Sequence, residues 1–305
     1  MKKLLTLISC LSLTLAGAQK MTPENGTIKQ FEKFQSKLVE PRNIDVWLPE
    51  DYSTKEKYAV LYMHDGQNLY DANTTWNKQE WQMDEVAGEL IKQNATQKFI
   101  VVGISSIAKL RMSDYMPQKP FESLPKKTQD SIYELKAGDS KLFGAPVNSD
   151  NYLKFIVTEL KPFIDKTFSV KTDQQNTYIG GSSMGGLISM YAVCEYPEIF
   201  GGAMCLSTHW PGLMENNKRN PVPKALLDYM TLNMPDPKAH KIYFDFGDET
   251  IDAQYKPYQV QADKIMEAIG YTEKNWVTRE FKGLDHSETS WAARVDQPLY
   301  FLLGK

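Results

Sequence analysis

The segment 177–186 contains the residues whose spacing most clearly indicates chemistry, a serine flanked by glycines. It reads Gly181-x-Ser183-x-Gly185, directly after an apolar run typical of a strand and directly before one typical of a helix. A sharp strand-to-helix turn requires small residues beside the serine, and it presents the hydroxyl at a helix N-terminus, where an oxyanion is stabilised. We therefore predict that Ser183 is a nucleophile in acyl transfer, since the neighbouring Ser182 lacks glycines in register. The alternative is a glycine-rich turn that only packs a helix onto a sheet.

Four histidines are candidates for the base that activates this serine. When such a turn belongs to an α/β-hydrolase sheet, the chain order is nucleophile, acid, base. His64 precedes the serine, His209 follows the very next strand, and His240 leads into a strand at the far end of the sheet. His286 lies after the last predicted strand and before the terminal helix, so we predict that it is the base. A histidine in a surface loop is the alternative.

The acid is expected in the loop after the apolar run 242–246, which carries three carboxylates. Asp248 is so close to the strand end that it would only serve the turn. Glu249 and Asp252 can both reach back toward His286. We favour Asp252, with Glu249 second, and the competing role for Asp252 is a helix N-cap.

The turn 64–68 follows a strong apolar strand and is predicted to complete the oxyanion hole. Gly66 permits a tight turn there, which aims backbone N–H groups at the space above the serine. Acyl transfer needs two such donors. We assign the N–H groups of Met184 and Gln67, against the alternative of a turn without catalytic purpose.

Three further side chains lie in loops near this predicted site and are candidates for substrate contact. Trp210 and Trp291 would stack on a sugar or an aryl acyl group, although most tryptophans in such loops are packing residues. Arg111 would hold an anionic substrate, with a solvated surface arginine as the alternative.

The elements that must position these residues follow from the alternation of apolar runs with amphipathic segments. The runs that predict strands are 44–48, 59–63, 99–102, 177–179, 203–206, 242–246 and 276–281. The segments that predict helices are 83–91, 152–164, 187–196, 259–269 and 288–303. This order predicts an α/β fold of the α/β-hydrolase type, a mainly parallel central sheet with helices on both faces. The strands before residue 63 are expected to form an antiparallel edge, and the polar, proline-containing segment 107–150 to form an excursion over one end of the sheet.

Composition and charge fit one soluble α/β domain. The chain has 305 residues, 42% of them hydrophobic, with a net charge of -3, and nothing in that balance indicates a nucleic-acid partner.

Residues 1–18 have a basic start, an apolar run and small residues at the end, which predicts a signal peptide, a mature domain 19–305 and a secreted or periplasmic protein. No other segment reaches the length of a membrane span. Cys194 and Cys205 are expected to be buried free thiols, although sequence leaves a bridge possible.

The chain resembles the putative esterase family, which includes esterase D, enterochelin esterases, feruloyl and acetyl-xylan esterases, and mycolyltransferases. The segments that carry the resemblance are 36–49, 61–69, 180–186, 244–252 and 286–291. The resemblance implies an α/β-hydrolase fold, a serine–histidine–acid apparatus and no metal or other cofactor. It transfers the nucleophile and base to Ser183 and His286, and the acid less directly because its loop varies in length.

These observations leave two classes of function. The first is a secreted serine carboxylic-ester hydrolase acting on an acylated carbohydrate, an acetyl or feruloyl ester, with an enterochelin-type siderophore ester as the alternative substrate. The second is a catalytically silent binding protein on the same fold. The pairing of Ser183 with His286 favours the enzyme.

Overall fold

A computed structural model of the protein describes residues 21–213 and 220–305. The predicted signal peptide, residues 1–18, lies outside the described residues. Within 21–213 and 220–305, no helix combines the length and the hydrophobicity that a membrane span requires. Cys194 and Cys205 are both buried free thiols, as expected.

Seven strands follow the predicted apolar runs, and three were not predicted: β1 at the start and the two-residue strands β5 and β6 in the segment 107–150. In chain order they are β1 (Thr27–Phe34), β2 (Arg42–Leu48), β3 (Ala59–His64), β4 (Phe99–Ile104), β5 (Lys136–Ala137), β6 (Ser140–Lys141), β7 (Thr177–Ser182), β8 (Gly202–Leu206), β9 (Lys241–Gly247) and β10 (Trp276–Phe281). Strand β1 was not predicted because its residues are half-buried or exposed, so it has no apolar run.

Eight of the described strands form one sheet in the order β1-β2-β4-β3-β7-β8-β9-β10. Strand β2 pairs antiparallel with β1 and β4, and all pairs from β4 to β10 are parallel. The antiparallel edge is therefore β1 and β2, whereas β3 belongs to the parallel part. Strands β5 and β6 form a separate hairpin.

The helices occupy the predicted segments and also fill the excursion 107–150, and one further helix, α8, was not predicted. They are α1 (Met83–Lys92), α2 (Arg111–Tyr115), α3 (Gln118–Glu122), α4 (Lys126–Tyr133), α5 (Ser149–Phe155), α6 (Lys161–Thr167), α7 (Met184–Glu195), α8 (Val222–Asn233), α9 (Lys256–Ile269), α10 (Glu288–Ala292) and α11 (Asp296–Leu303). One π-helical turn, Ile156–Leu160, joins α5 to α6, and the predicted terminal helix is divided into α10 and α11.

Helices cover both faces of the sheet, which confirms the predicted fold class. Successive side chains of a strand point to opposite faces. In β3, Val60 and Tyr62 join the apolar cluster that includes residues of α5, α7 and α8. Leu61 and Met63 join a second cluster with residues of α1 and α11. Because both faces are buried, the central parallel strands are mostly apolar, whereas the edge strand β10 carries polar and exposed residues.

This topology brings the carboxyl ends of β3, β7, β8, β9 and β10 to the same edge of the sheet. In open parallel sheets ligands bind at that edge, where the loops after the strands converge. The loops after these strands carry all the residues predicted for the nucleophile, acid, base and oxyanion hole.

Candidate active site

Ser183 lies at the turn between β7 and α7 in a conformation that few side chains adopt. Its φ is 59° and its ψ is −123°. The residues beside it have little room, since a Cβ added to Gly181 would lie 3.0 Å from the carbonyl carbon of Gly185. The N–H of Ser183 donates to the Leu206 carbonyl at 2.9 Å, which ties the turn to β8. The local strain is thus held in place by the sheet and presents the hydroxyl at the start of α7.

The imidazole of His286 is paired with Asp252. Asp252 Oδ1 lies 2.5 Å from His286 Nδ1, and the Asp252 side chain is fully buried. The backbone N–H of His286 donates to Thr250 Oγ1 at 3.0 Å. These two bonds fix both the ring and its backbone. Because a carboxylate only accepts, Nδ1 carries the proton and Nε2 has a free lone pair.

The other carboxylates of the same loop do not reach the ring in this way. Asp248 Oδ1 accepts the N–H of Gly283 at 2.6 Å, so it serves the turn, as anticipated. Glu249 is exposed to solvent at the start of a short 3₁₀ turn, Thr250–Gln254. That turn carries Asp252 back under His286. Asp252, which the sequence favoured, therefore lies at the imidazole, and Glu249, the second candidate, lies away from it.

The second oxygen of Asp252 is also fully engaged. Oδ2 accepts the N–H of Gly247 at 2.7 Å and the hydroxyl of Ser207 at 2.5 Å. Burial by itself would raise the pKa of Asp252, but the bonds from His286, Ser207 and Gly247 outweigh burial and the pKa is lowered. Asp252 is therefore ionised at any pH near neutrality.

A buried ionic network behind Asp252 was not anticipated from the sequence. The Ser207 hydroxyl accepts from Trp291 Nε1 at 3.0 Å and from the Arg294 guanidinium at 2.8 Å, so its bonding capacity is saturated. Arg294 in turn forms two bonds to Asp245, at 3.1 and 3.2 Å, and both side chains are buried. No local motif marks these residues, since Arg294 is 87 positions from Ser207.

Of the two predicted oxyanion donors, Gln67 lies in a short 3₁₀ turn, Gly66–Asn68, and Met184 is the first residue of α7. The N–H groups of a first helical turn have no partner within their own helix, which leaves them available to a ligand. The Gln67 side chain exchanges two hydrogen bonds with Ser106, both at 3.0 Å, which fix the turn. Gly66 is required because an added Cβ would lie 2.4 Å from the carbonyl carbon of Gly103.

Two residues, Tyr255 before α9 and His209 after β8, lie beside Ser183. His209 Nε2 lies 3.2 Å from the Leu213 carbonyl and can only donate to it, so Nδ1 accepts from the Tyr255 hydroxyl at 2.7 Å. Burial raises the pKa of the Tyr255 phenol overall, although the Ser183 hydroxyl lies near enough to the Tyr255 oxygen to lower that pKa in part. Burial lowers the pKa of His209 to about 3, so the ring is neutral. Sequence reasoning missed Tyr255 because nothing near it in the chain signals proximity to Ser183.

Ser183 and the imidazole of His286 open into one cleft with a volume of about 590 Å³. Ligand pockets commonly have volumes of about 300–1,000 Å³. The residues lining this cleft are mostly polar or aromatic: Asp65, Gln67, Asn68, Trp76, Asn77, Gln79, Trp81, Ser106, Ala108, Arg111, Ser182, Ser183, His286, Ser287, Glu288 and Trp291. Trp76 at its rim is 86% exposed.

The three predicted substrate contacts have different outcomes. The prediction for Trp210 is wrong, because its side chain is fully buried, donates to Gln259 at 2.9 Å and packs in the core. Trp291 lines the cleft, packs edge-on against the imidazole of His286 at 5.0 Å, and supports Ser207. Arg111 lines the cleft, but both its bonds, at 2.8 and 2.9 Å, go to Asp65, which neutralises its charge.

Comparison with known proteins gives the following. A model of the putative esterase family matches residues 36–302. The chain is 24% identical over 190 residues to the uncharacterized protein YjcH of Bacillus subtilis, covering 62% of this chain and 65%, less than two thirds, of that protein. It is 26% identical over 231 residues to an endo-1,4-beta-xylanase/feruloyl esterase of Xylanibacter ruminicola, covering 72% of this chain and 24% of that protein.

Among solved structures, the ferulic acid esterase AmCE1/Fae1A of Anaeromyces mucronatus superposes with a TM-score of 0.62. The similarity covers 92% of this chain and 90% of that one at 19% sequence identity. At this identity the likeness establishes the fold alone.

Proposed function

The chain belongs to the putative esterase family, and on that premise we propose that it hydrolyses carboxylic esters with Ser183, His286 and Asp252 as its catalytic triad. One observation carries the proposal. Ser183, on its strained turn, and His286 open into the same cleft, and His286 Nδ1 lies 2.5 Å from the buried carboxylate of Asp252. An activated serine needs a base within reach of its hydroxyl and a third group that orients the base. The shared cleft and the contact between His286 and Asp252 support that assignment.

In the proposed mechanism, Ser183 Oγ attacks the ester carbonyl carbon while His286 Nε2 accepts the hydroxyl proton. The resulting imidazolium is stabilised by Asp252, which holds Nδ1–H. The N–H groups of Met184 and Gln67 stabilise the oxyanion of the tetrahedral intermediate. The C–O bond to the alcohol then breaks, and His286 returns the proton to the departing alcohol. Water attacks the acyl-enzyme by the same route and restores Ser183.

We propose that the substrate is an acylated carbohydrate, an acetyl or feruloyl ester. The cleft combines an exposed indole at its rim, Trp76, with the amides of Asn77 and Gln79. Indole faces stack on sugar rings and aryl groups, and amides hydrogen-bond hydroxyl groups. The relative from Xylanibacter ruminicola, named as a xylanase and feruloyl esterase, supports this class. We also propose that residues 1–18 direct export, which N-terminal sequencing of the exported protein would test.

A substrate panel tests the proposed ester class. Purified protein is assayed with p-nitrophenyl acetate, methyl ferulate, acetylated xylan and a trilactone siderophore. We expect turnover of the simple ester together with the feruloyl or acetyl-xylan ester. Turnover of the siderophore alone would replace the carbohydrate proposal. Complete inactivity on all four would favour a binding protein.

A variant at the rim tests the role of the exposed indole. Trp76→Ala is expected to raise KM for the carbohydrate ester several-fold with little change in kcat, because stacking of the indole on a sugar or aryl group contributes on the order of 1 kcal/mol to binding. Turnover of p-nitrophenyl acetate should be unaffected. Leu232→Ala removes another exposed apolar side chain, 82% exposed on α8, and serves as the matched control. Equal KM values for wild type and the Trp76 variant would contradict the stacking role.

A further inference from the structure

Three carboxylates converge at the start of α1, directly behind the wall of the cleft. Glu80, Asp84 and Glu85 each offer one oxygen, and these atoms all lie within 4.8 Å of one another. Asp84 is fully buried, and Glu80 and Glu85 are half-buried. Acidic residues in the first turn of a helix are ordinarily explained by the helix dipole. That explanation covers Asp84 and Glu85 in the first turn of α1 but does not account for Glu80, which precedes the helix.

Each of the three residues has an oxygen that is buried and unpartnered. Glu80 Oε2, Asp84 Oδ1 and Glu85 Oε2 receive no hydrogen bond. The other oxygen of Asp84 accepts the N–H of Asn25 at 3.0 Å. A fully buried carboxylate with a free oxygen is costly, because a buried acceptor normally finds a donor. A ligand that accepts a lone pair from an oxygen of each residue would offset that cost.

The protein itself supplies no positive charge to this cluster. Among residues 21–213 and 220–305, no lysine, arginine or histidine forms an ion pair with Glu80, Asp84 or Glu85. Clustered carboxylates without a cationic side chain repel one another, so a bound cation would stabilise the cluster.

The donor set matches one cation in particular. The three ligand atoms lie within 4.8 Å of one another, close enough to share one ion. Calcium takes oxygen ligands at about 2.3–2.6 Å in flexible geometry. The set holds hard carboxylate oxygens and no imidazole or thiolate, which disfavours zinc and other transition metals. Magnesium demands near-ideal octahedral geometry and retains its waters, so a clustered carboxylate set suits it less.

We propose that Glu80, Asp84 and Glu85 bind a calcium ion, with water completing its coordination. The position gives the ion a structural role. Glu80 lies between Gln79 and Trp81, and both of those residues line the cleft. Calcium would join the loop 71–82 to helix α1 and hold that wall of the cleft in place. The proposal is independent of the esterase proposal, because ion binding is measured without substrate.

Thermal unfolding of the full chain tests the site. Protein stripped with EDTA is melted alone, with 1 mM CaCl₂ and with 1 mM MgCl₂. A ligand that binds only the folded state raises Tm, so we expect calcium to raise it by several degrees and magnesium by much less. Terbium is a luminescent calcium analogue, and we expect its emission to be sensitised through Trp81 and quenched by added calcium.

Two matched variants on α1 decide whether the cluster is responsible. Glu85→Gln keeps the side-chain shape and removes one ligand charge, so the calcium response of Tm and the terbium emission should both be lost. Glu89→Gln removes an exposed carboxylate one turn away on the same helix and should respond as wild type does. Three results would overturn the proposal: no calcium shift in wild type, an equal shift in Glu85→Gln, or an equal shift with magnesium.

Discussion

Replacing Asp252 by asparagine is the sharpest perturbation of the proposed triad. The carboxylate accepts three hydrogen bonds: from His286 Nδ1 at 2.5 Å on one oxygen, and from Ser207 and Gly247 on the other at 2.5 and 2.7 Å. Asparagine has one oxygen, so it can serve only one of the two sides. If the oxygen faces Ser207 and Gly247, two bonds are kept. If it faces His286, the amide NH₂ opposes the Gly247 N–H in a buried site.

The first orientation is therefore expected to dominate, and it reverses the histidine tautomer. The amide would donate to His286 Nδ1, which then carries no proton, and the proton would move to Nε2. A protonated Nε2 cannot accept the Ser183 hydroxyl proton. Loss of the correct tautomer in a triad costs about 10⁴-fold in kcat, or about 5.4 kcal/mol of transition-state stabilisation at 1.36 kcal/mol per tenfold change.

The assay is steady-state hydrolysis of p-nitrophenyl acetate by Asp252→Asn and by Glu249→Gln, with Tm measured for both. We expect the loss in kcat with KM nearly unchanged for the first variant, and near-normal turnover for the second, because Glu249 is exposed. Retention of kcat within tenfold by Asp252→Asn would refute the tautomer argument. Both single variants could keep most of their activity. In that case an inactive double variant would mean that the two acids substitute for each other. An active double variant would mean that a serine–histidine dyad suffices.

Two further predictions concern the nucleophile and the buried histidines. Ser183→Ala should lose on the order of a millionfold in kcat without unfolding, while Ser182→Ala should be mild; the reverse pattern in the same assay would overturn the assignment. Burial lowers the pKa of His64 and of His209 to about 3. Unfolded histidine binds a proton below about pH 6.5 and these folded rings do not, so stability should fall from pH 6.5 toward pH 3, by about 2 kcal/mol per histidine between pH 7 and 5. Urea unfolding at those two pH values measures the loss, and His209→Gln should reduce it by about half; an equal loss in wild type and variant would contradict the assignment.

Much of the architecture was predictable because its signals are local. Buried parallel strands such as β7 and β9 are apolar at almost every position, since helices cover both faces of the sheet. The turn at Ser183 was predictable for the same kind of reason, because its flanking glycines meet a steric requirement set within a few residues. Strand β1 escaped prediction because an exposed edge strand needs no apolar run.

The roles of the residues around the proposed triad could not be predicted, because they arise from contacts between segments that are distant in the sequence. Glu249 and Asp252 are three positions apart with the same charge, and only the 3₁₀ turn Thr250–Gln254 decides which one lies under His286. Trp210 follows a strand in the way that a cleft residue would, yet its indole turns into the core. The role of Tyr255 beside Ser183 likewise arises from the packing of α9.

The sequence by itself therefore determined the fold class, the order of most elements and two candidate residues: Ser183, from its flanking glycines, and His286, from its place in the chain order. Only the tertiary structure decided which carboxylate orients the imidazole, which side chains support it and which aromatic residues reach the cleft. The physical reason is that backbone sterics and apolar periodicity act over a few residues. Hydrogen bonds such as that between Ser207 and Arg294, 87 positions apart, exist only after the sheet has brought distant loops to one edge.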